Sequence, residues 1–287
     1  MEIAQEPQDF TEESREISQG TRFEFGKNWT RFLQYLDDER ILAAEKSLQS
    51  MLEVPDLTGM RFLDVGSGSG LFSLAARRLG ANVHSFDCDP DSVACTKELR
   101  RRYFGHDTQW LVEHHSVLDK DYMASIGVFD VVYSWGVLHH TGHMWQALEN
   151  VQRPVSKGGM LFIAIYNDMG SQTLRWRRIK QLYNQLPSVL RPSYTVICSS
   201  PLEIKPFLRA MARGRPMEYF QRWTPDYYRG MNHWRDLVDW VGGYPYEAAK
   251  PDEIFEYYRS QGFALRRLKC GGGLGCNEFV FRRDVQP

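Results

Sequence analysis

Residues 61–73 read RFLDVGSGSGLFS. A short apolar run ends at Asp64 and Val65, and glycine then takes alternate positions, Gly66, Gly68 and Gly70. Strand, glycine-rich turn and helix N-terminus in that order make a general ligand cradle. Without Cβ atoms a ligand can lie against backbone, and the first amides of a helix have no partner within it. A dinucleotide fingerprint requires G-x-G-x-x-G; counted from Gly66 the third glycine place holds Leu71, and counted from Gly68 it holds Ser73. Neither register fits well.

Outward from this stretch the pattern alternates. RFLDV, NVHSFD, TQWLVEHHSV, FDVVYSW and MLFIAIYN read as strands, while LFSLAARRLG, DSVACTKELRRRYF and HMWQALENVQRPV read as helices. Strands alternating with helices imply right-handed crossovers and a mostly parallel sheet covered on both faces. Upstream, residues 30–52 place Phe32, Leu33, Leu36, Ile41, Leu42, Leu48 and Leu52 at mostly helical spacings, so a helix is expected there. Residues 168–250 break the rhythm with helical segments, prolines at 187, 192, 201, 206, 216 and 225, and no clear strand. PDEIFEYYRSQGF then reads as helix, and ALRRLKC and NEFVFRR as strands of an antiparallel hairpin closed by GGGLG.

The 287 residues are enough for one large α/β domain with an insertion, and a formal charge of -1 argues against holding nucleic acid by bulk electrostatics. Five scattered cysteines read as reduced thiols, and the polar, acidic N-terminus is neither a secretory signal nor an anchor. A cytoplasmic location is therefore expected. No window approaches the ~18 apolar residues of a membrane span.

Asp87 ends the second strand, where a carboxylate accepts from ribose hydroxyls; at 21 residues past Gly66 it would serve NAD equally well. What separates the cofactors is FDVVYSWGVLHHTGHMWQALENVQRPVSKGGMLFIAIYN, residues 129–167, with its strand, Leu-His-His loop, helix, Lys-Gly-Gly turn and apolar strand. Together with Asp64, Gly66, Gly68 and Gly70 it resembles the class I S-adenosylmethionine (SAM)-dependent methyltransferases, closest in feel to their ubiquinone and menaquinone small-molecule branch. The resemblance implies a Rossmann-like, doubly wound seven-stranded sheet with a helical insertion after the fifth strand. It implies four regions: an N-terminal helical lid (1–52), a SAM-binding core (53–167), a substrate-binding insertion (168–250), and a closing helix and hairpin (251–287). It assigns Asp64, Gly66, Ser67, Gly68 and Gly70 to the methionine side of SAM, and Asp87 with Cys88 to the ribose. Ser116 and Val117 go to the adenine, with Asp119 either helping or capping a helix, and Trp29 and Trp135 to the cofactor's surroundings. His115-Ser116-Val117 departs from the family's common Gly-Asp-Ala.

In open α/β sheets ligands bind beyond the carboxyl ends of the strands. This places Ser134, Trp135, His139, His140, Tyr166 and Asn167 at the site. Methyl transfer requires an aligned acceptor and removal of its proton where it carries one. His140 is the first candidate base, with Tyr166 and His233 as further catalytic candidates; Tyr35, His139, Asn167, Arg235 and Tyr244 are candidates for substrate contact. His139, His140 and His143 lack a metal-ligand pattern, so no metal is expected. The insertion has thirteen Lys/Arg against seven acids, with aromatics interleaved, a composition for an anionic or aromatic acceptor, a lipid-like surface or nucleotide stacking. The expectation is methylation of a small-molecule acceptor at oxygen, with nucleic acid unlikely and the oligomeric state open. The alternatives are an RNA or protein methyltransferase, a SAM-binding module without catalysis, and an NAD-dependent oxidoreductase.

Overall fold

The computed structural model describes residues 15–17, 20, 22–24, 26, 33 and 36–284, apart from 106 and 222–232. Seven strands form one sheet: β1 (Arg61–Val65), β2 (Asn82–Asp87), β3 (Trp110–His114), β4 (Phe129–Trp135), β5 (Val155–Tyr166), β6 (Phe263–Lys269) and β7 (Cys276–Arg283). Their order is β3-β2-β1-β4-β5-β7-β6, parallel from β3 to β5, with β7 antiparallel between β5 and β6. The chain reverses direction across the sheet between β1 and β4, and a crevice opens at such a switch point beyond the strands' carboxyl ends.

The flanking helices are α1 (Asp38–Leu52), α2 (Leu71–Arg78), α3 (Pro90–Phe104), α4 (Lys120–Ser125), α5 (Met144–Val151) and α10 (Pro251–Ser260). Between β5 and α10 lies the helical insertion: α6 (Ser171–Gln185), α7 (Arg191–Ala212), α8 (Pro216–Gln221) and α9 (His233–Gly242). Central strands are apolar on both sides because helices cover both sides. Phe62, Val131 and Phe162 lie in one buried cluster with α1 and α2, and Leu63, Val132 and Ile163 in the other with α5 and α10. Each such side chain taken from water stabilises the fold by about 1.5–3 kcal/mol.

Several boundaries differ from the sequence reading, two of them for a visible reason. α1 begins at Asp38 because Asp37 is its N-cap, accepting from the Arg40 amide at 2.8 Å, while Leu33 lies in a turn. The fifth strand starts at Val155 rather than Met160, since Val155 pairs with Phe129 and the Lys-Gly-Gly turn is absorbed into β5 beside a register shift in β4.

Candidate active site

The glycine loop is held from three sides. Gly66 and Ser67 amides donate to the Phe86 carbonyl at the end of β2, at 2.9 and 3.1 Å. Gly66 has φ +76°, and a Cβ there would sit 2.5 Å from both methyls of Val137, in the loop after β4. At Gly70, φ +79°, a Cβ would lie 2.9 Å from the Thr96 Cα on α3. Both positions therefore demand glycine for conformation and for space. Ser67 and Thr96 hydroxyls meet at 2.9 Å across the same gap.

Two carboxylates flank the loop. Asp64 is buried and takes the Ser73 hydroxyl of α2; Ser73 meets Ser85 at 2.7 Å, and Ser85 accepts from the Trp110 indole at 2.9 Å. This chain of polar groups fastens α2 to the sheet, and burial pushes the Asp64 carboxyl up to about 7. Asp87 accepts from two backbone amides, Gly68 and Asp89, each at 2.9 Å. Burial pushes it up to about 7 as well, aided by the neighbouring charges of Asp89 and Asp64, against the opposing pull of those amides. A carboxylate has about four acceptor positions, so each Asp87 oxygen keeps one beyond its amide bond. Asp89 caps α3 and also accepts from the Gly26 amide at 2.8 Å, which brings the N-terminal segment to the end of β2. The neighbouring Cys88 carbonyl faces the His114 ring at 2.9 Å.

At the end of β3, His115 stacks on Tyr122 with centroids 3.7 Å apart. Ser116 and Val117 are buried; the Ser116 hydroxyl accepts from the Leu118 amide at 3.0 Å and the Val117 carbonyl from the Asn150 side chain at 2.9 Å. Asp119 caps α4, accepting from the Asp121 and Tyr122 amides.

An aromatic box stands at the ends of β4 and β5, one face supplied by the insertion. His139 is fully buried in the short 3-10 turn Leu138–His140 just past Trp135, its ring 4.1 Å from that of Tyr166 and 4.6 Å from that of His140. Tyr166 in turn lies 5.2 Å from Tyr246 and 5.9 Å from Trp240. His140 Nδ1 lies 2.6 Å from the Pro245 carbonyl oxygen, and burial pushes the imidazole down to about 3. Arg22, from the N-terminal segment, donates to the His140 and Thr141 carbonyls at 2.6 and 3.0 Å. Glu247 locks the turn from the other side: its amide donates to the His139 carbonyl and its carboxylate accepts from the Met144 amide, which begins α5.

Lys180 reaches into this box from α6. Its ammonium donates to the Trp240 carbonyl and sits 4.4 Å from the Trp240 ring centroid and 4.9 Å from that of Tyr246. Burial drives it from its ordinary 10.5 down to about 7, with Asp239 pulling the other way. Around it, the Tyr246 hydroxyl, the Trp240 indole nitrogen and one His139 ring nitrogen are buried without a hydrogen-bond partner among the described residues, while the other His139 nitrogen faces the Ala164 backbone. Orphaned polar atoms are rare in native interiors, and three in one aromatic cluster are groups that a polar ligand would satisfy.

The other candidates fall as follows. His233, on α9, pairs with Glu203 of α7 at 3.1 Å, a contact within the insertion. Asn167 is committed to the hairpin loop: its amide donates to the Gly273 carbonyl at 2.9 Å and its carbonyl accepts from Asn277 at 3.2 Å. Tyr244 offers its carbonyl to the Phe23 amide at 3.0 Å and precedes Pro245, while Arg235 lies half-buried on α9. Trp29 and Tyr35 lie outside the described residues. The sequence reading singled out neither Lys180 nor Arg22. The signal for Lys180 was available in the spacing of Trp176, Lys180 and Tyr183, one face of α6.

A model of the methyltransferase domain family matches residues 32–200, more than half of the chain. The chain belongs to this family. With its sheet order and glycine loop it is a class I SAM-dependent methyltransferase. Among solved structures it is similar to magnesium protoporphyrin IX methyltransferase of Synechocystis PCC 6803 with bound SAM. The identity is 11%, the coverage 97% of this chain and 100% of that one, and the TM-score 0.55. It is also similar to an O-methyltransferase family protein of Burkholderia thailandensis, at 12% identity over 86% of this chain and 58% of that one, TM-score 0.51. A putative SAM-dependent methyltransferase of Listeria monocytogenes shares 13% identity over 85% and 99%, TM-score 0.50. These likenesses are of fold. The fit to the cofactor rests on this chain's own residues: a glycine loop closed to any Cβ at Gly66 and Gly70, and spare acceptor positions on Asp87.

Proposed function

We propose that this methyltransferase methylates a hydroxyl of a small aromatic or lipophilic acceptor seated in the box of Tyr166, Trp240 and Tyr246. The observation that carries this reading is the set of orphaned polar atoms on His139, Tyr246 and Trp240 around the buried Lys180. Ring faces hold a flat or apolar body, and the orphaned donors and acceptors orient its polar group.

When bound, SAM supplies an electrophilic methyl group. Asp87, with Cys88 beside it, takes the ribose; the backbone of Gly66, Ser67, Gly68 and Gly70 lines the methionine side; Ser116 and Val117 edge the adenine. Asp64 acts indirectly, by fixing the start of α2 through Ser73. Trp135 belongs to the cofactor's surroundings, and Arg22, Phe23 and Gly26 tie the N-terminal segment over the strand ends as a lid.

His140 donates from Nδ1 to Pro245, which leaves the lone pair on Nε2. A base held near 3 does not retain a proton at neutral pH, so His140 orients the acceptor hydroxyl by accepting its hydrogen bond. Lys180, near 7, exists partly as the neutral amine and takes the proton that the acceptor oxygen loses as it bonds to carbon. Tyr166, pushed above its ordinary range by burial, stays protonated and contributes a ring wall.

The test is transfer of a radiolabelled methyl group from SAM into a host extract, divided into organic-soluble, aqueous small-molecule and macromolecular fractions. Label in a small-molecule fraction above no-enzyme and Lys180→Met controls, located on oxygen by fragmentation of the product, is the expected result. Label confined to RNA or protein, or carried on nitrogen, sulfur or carbon, overturns it.

A further inference from the structure

α7 turns an apolar face outward. Its sheltered positions are Thr195, Ser199 and Ala210, whereas Val196, Ile197, Ile204, Leu208 and Met211 share one exposed face at helical spacing. Ile197 is 69% exposed and Leu208 58%. Pro201 deprives the Ile197 carbonyl of its helical donor, and the Ser200 hydroxyl replaces it at 2.8 Å, so the helix continues through the proline.

α6 extends the same surface. Its inner face carries Trp176, Lys180 and Tyr183; its outer face carries Leu174, Arg175, Arg178 and Leu182, which border a groove of about 410 Å³ shared with Tyr194 of α7. Residues 171–215 contain nine Lys/Arg and a single acid, Glu203, which is paired with His233. A large apolar stripe edged by exposed cations is a binding surface, since isolated domains seldom expose one. No helix among the described residues is long and apolar enough to cross a membrane.

We propose that the outer face of α6 and α7 docks on an anionic lipid bilayer, with the two helices lying in its interface. The aliphatic side chains of α7 enter the headgroup and acyl boundary, and Arg175, Arg178, Lys205 and Arg209 pair with lipid phosphates. Charge selects this occupant: a second copy would set one cationic face against another. The fully exposed residues of the α7 stripe are aliphatic, and the ring on the same side, Phe207, is half-buried against Tyr219 at 5.2 Å between centroids rather than open to a base, which disfavours RNA. Only one helix diameter, about 10–12 Å, separates the lipid-facing side of α6 from Lys180. An acceptor dissolved in the bilayer therefore enters from the surface on which the enzyme rests.

Flotation of the full chain with vesicles tests this docking independently of methyl transfer. The protein should float with phosphatidylcholine vesicles containing phosphatidylglycerol and stay behind with phosphatidylcholine alone. Arg175→Gln with Arg178→Gln should lower partitioning roughly twenty-five-fold, at about fivefold per cation. Ile197→Asp with Leu208→Asp should abolish it while circular dichroism and S-adenosylhomocysteine binding stay unchanged. No flotation with the anionic vesicles, or flotation indifferent to both pairs, overturns the proposal. So does a dimer in light scattering that the aspartates split, which would make the face a contact between copies.

Discussion

The Nδ1 of His140 donates to the carbonyl oxygen of Pro245 at 2.6 Å, joining the turn after β4 to the far end of the insertion. This bond fixes the ring's tautomer and its direction at once. His140→Asn places an amide nitrogen near the Nδ1 position and keeps the anchor while deleting Nε2. It should bind S-adenosylhomocysteine as the wild type does and lose about a hundredfold in kcat, the scale of a lost alignment. Steady-state kinetics check it, and full kcat in the variant would remove His140 from the chemistry.

Lys180 makes a prediction about pH. Its folded pKa, near 7, lies below its ordinary 10.5, so between those values the unfolded chain holds more protons and stability rises with pH. The stability of the wild type minus that of Lys180→Met should therefore climb across this window, with a slope of at most about 1.4 kcal/mol per pH unit. Urea unfolding at a series of pH values reads the difference. The rising limb of kcat/KM near pH 7 should vanish in the same variant if Lys180 takes the acceptor's proton.

The two residues were unequally visible in the sequence. His140 stands in a Leu-His-His turn directly after a strand, so its position at the strand ends follows from local order alone. Lys180 is one of thirteen cations in a basic insertion, and a lysine there ordinarily faces water. Only the packing of α6 against α9 turns it inward beneath Trp240. The reverse holds for His233 and Asn167, whose residue types and places invited a role in chemistry. Glu203 and the Gly273 loop are remote in sequence, so those commitments had no local signature. The sheet, by contrast, was written in short apolar runs and punctuation, and those patterns survive folding because the central strands β1, β4 and β5 are covered on both faces.

The glycine loop separates strain from crowding. Gly66 and Gly136 share φ +76°, but a Cβ at Gly66 strikes Val137 while one at Gly136 meets nothing within 4 Å. Gly136→Ala should cost only the left-handed backbone, about 1–2 kcal/mol. Gly66→Ala should cost more, and Val137→Ala added to it should recover the excess but not the backbone strain. Denaturant titration of the four proteins measures both quantities. Equal losses for the two single variants would show that Val137 yields freely.

The central claim is that the crevice at the ends of β1 and β2 holds the cofactor through Asp87. Calorimetry of S-adenosylhomocysteine binding tests it most directly, with wild type and Asp87→Asn compared across pH. Ribose hydroxyls favour the ionised carboxylate, and that carboxyl stands near 7 in the free protein, so wild-type affinity should strengthen as pH rises through about 7. Asp87→Asn should weaken binding by about 1–3 kcal/mol and flatten the pH dependence. An unchanged dissociation constant in the variant would contradict the account.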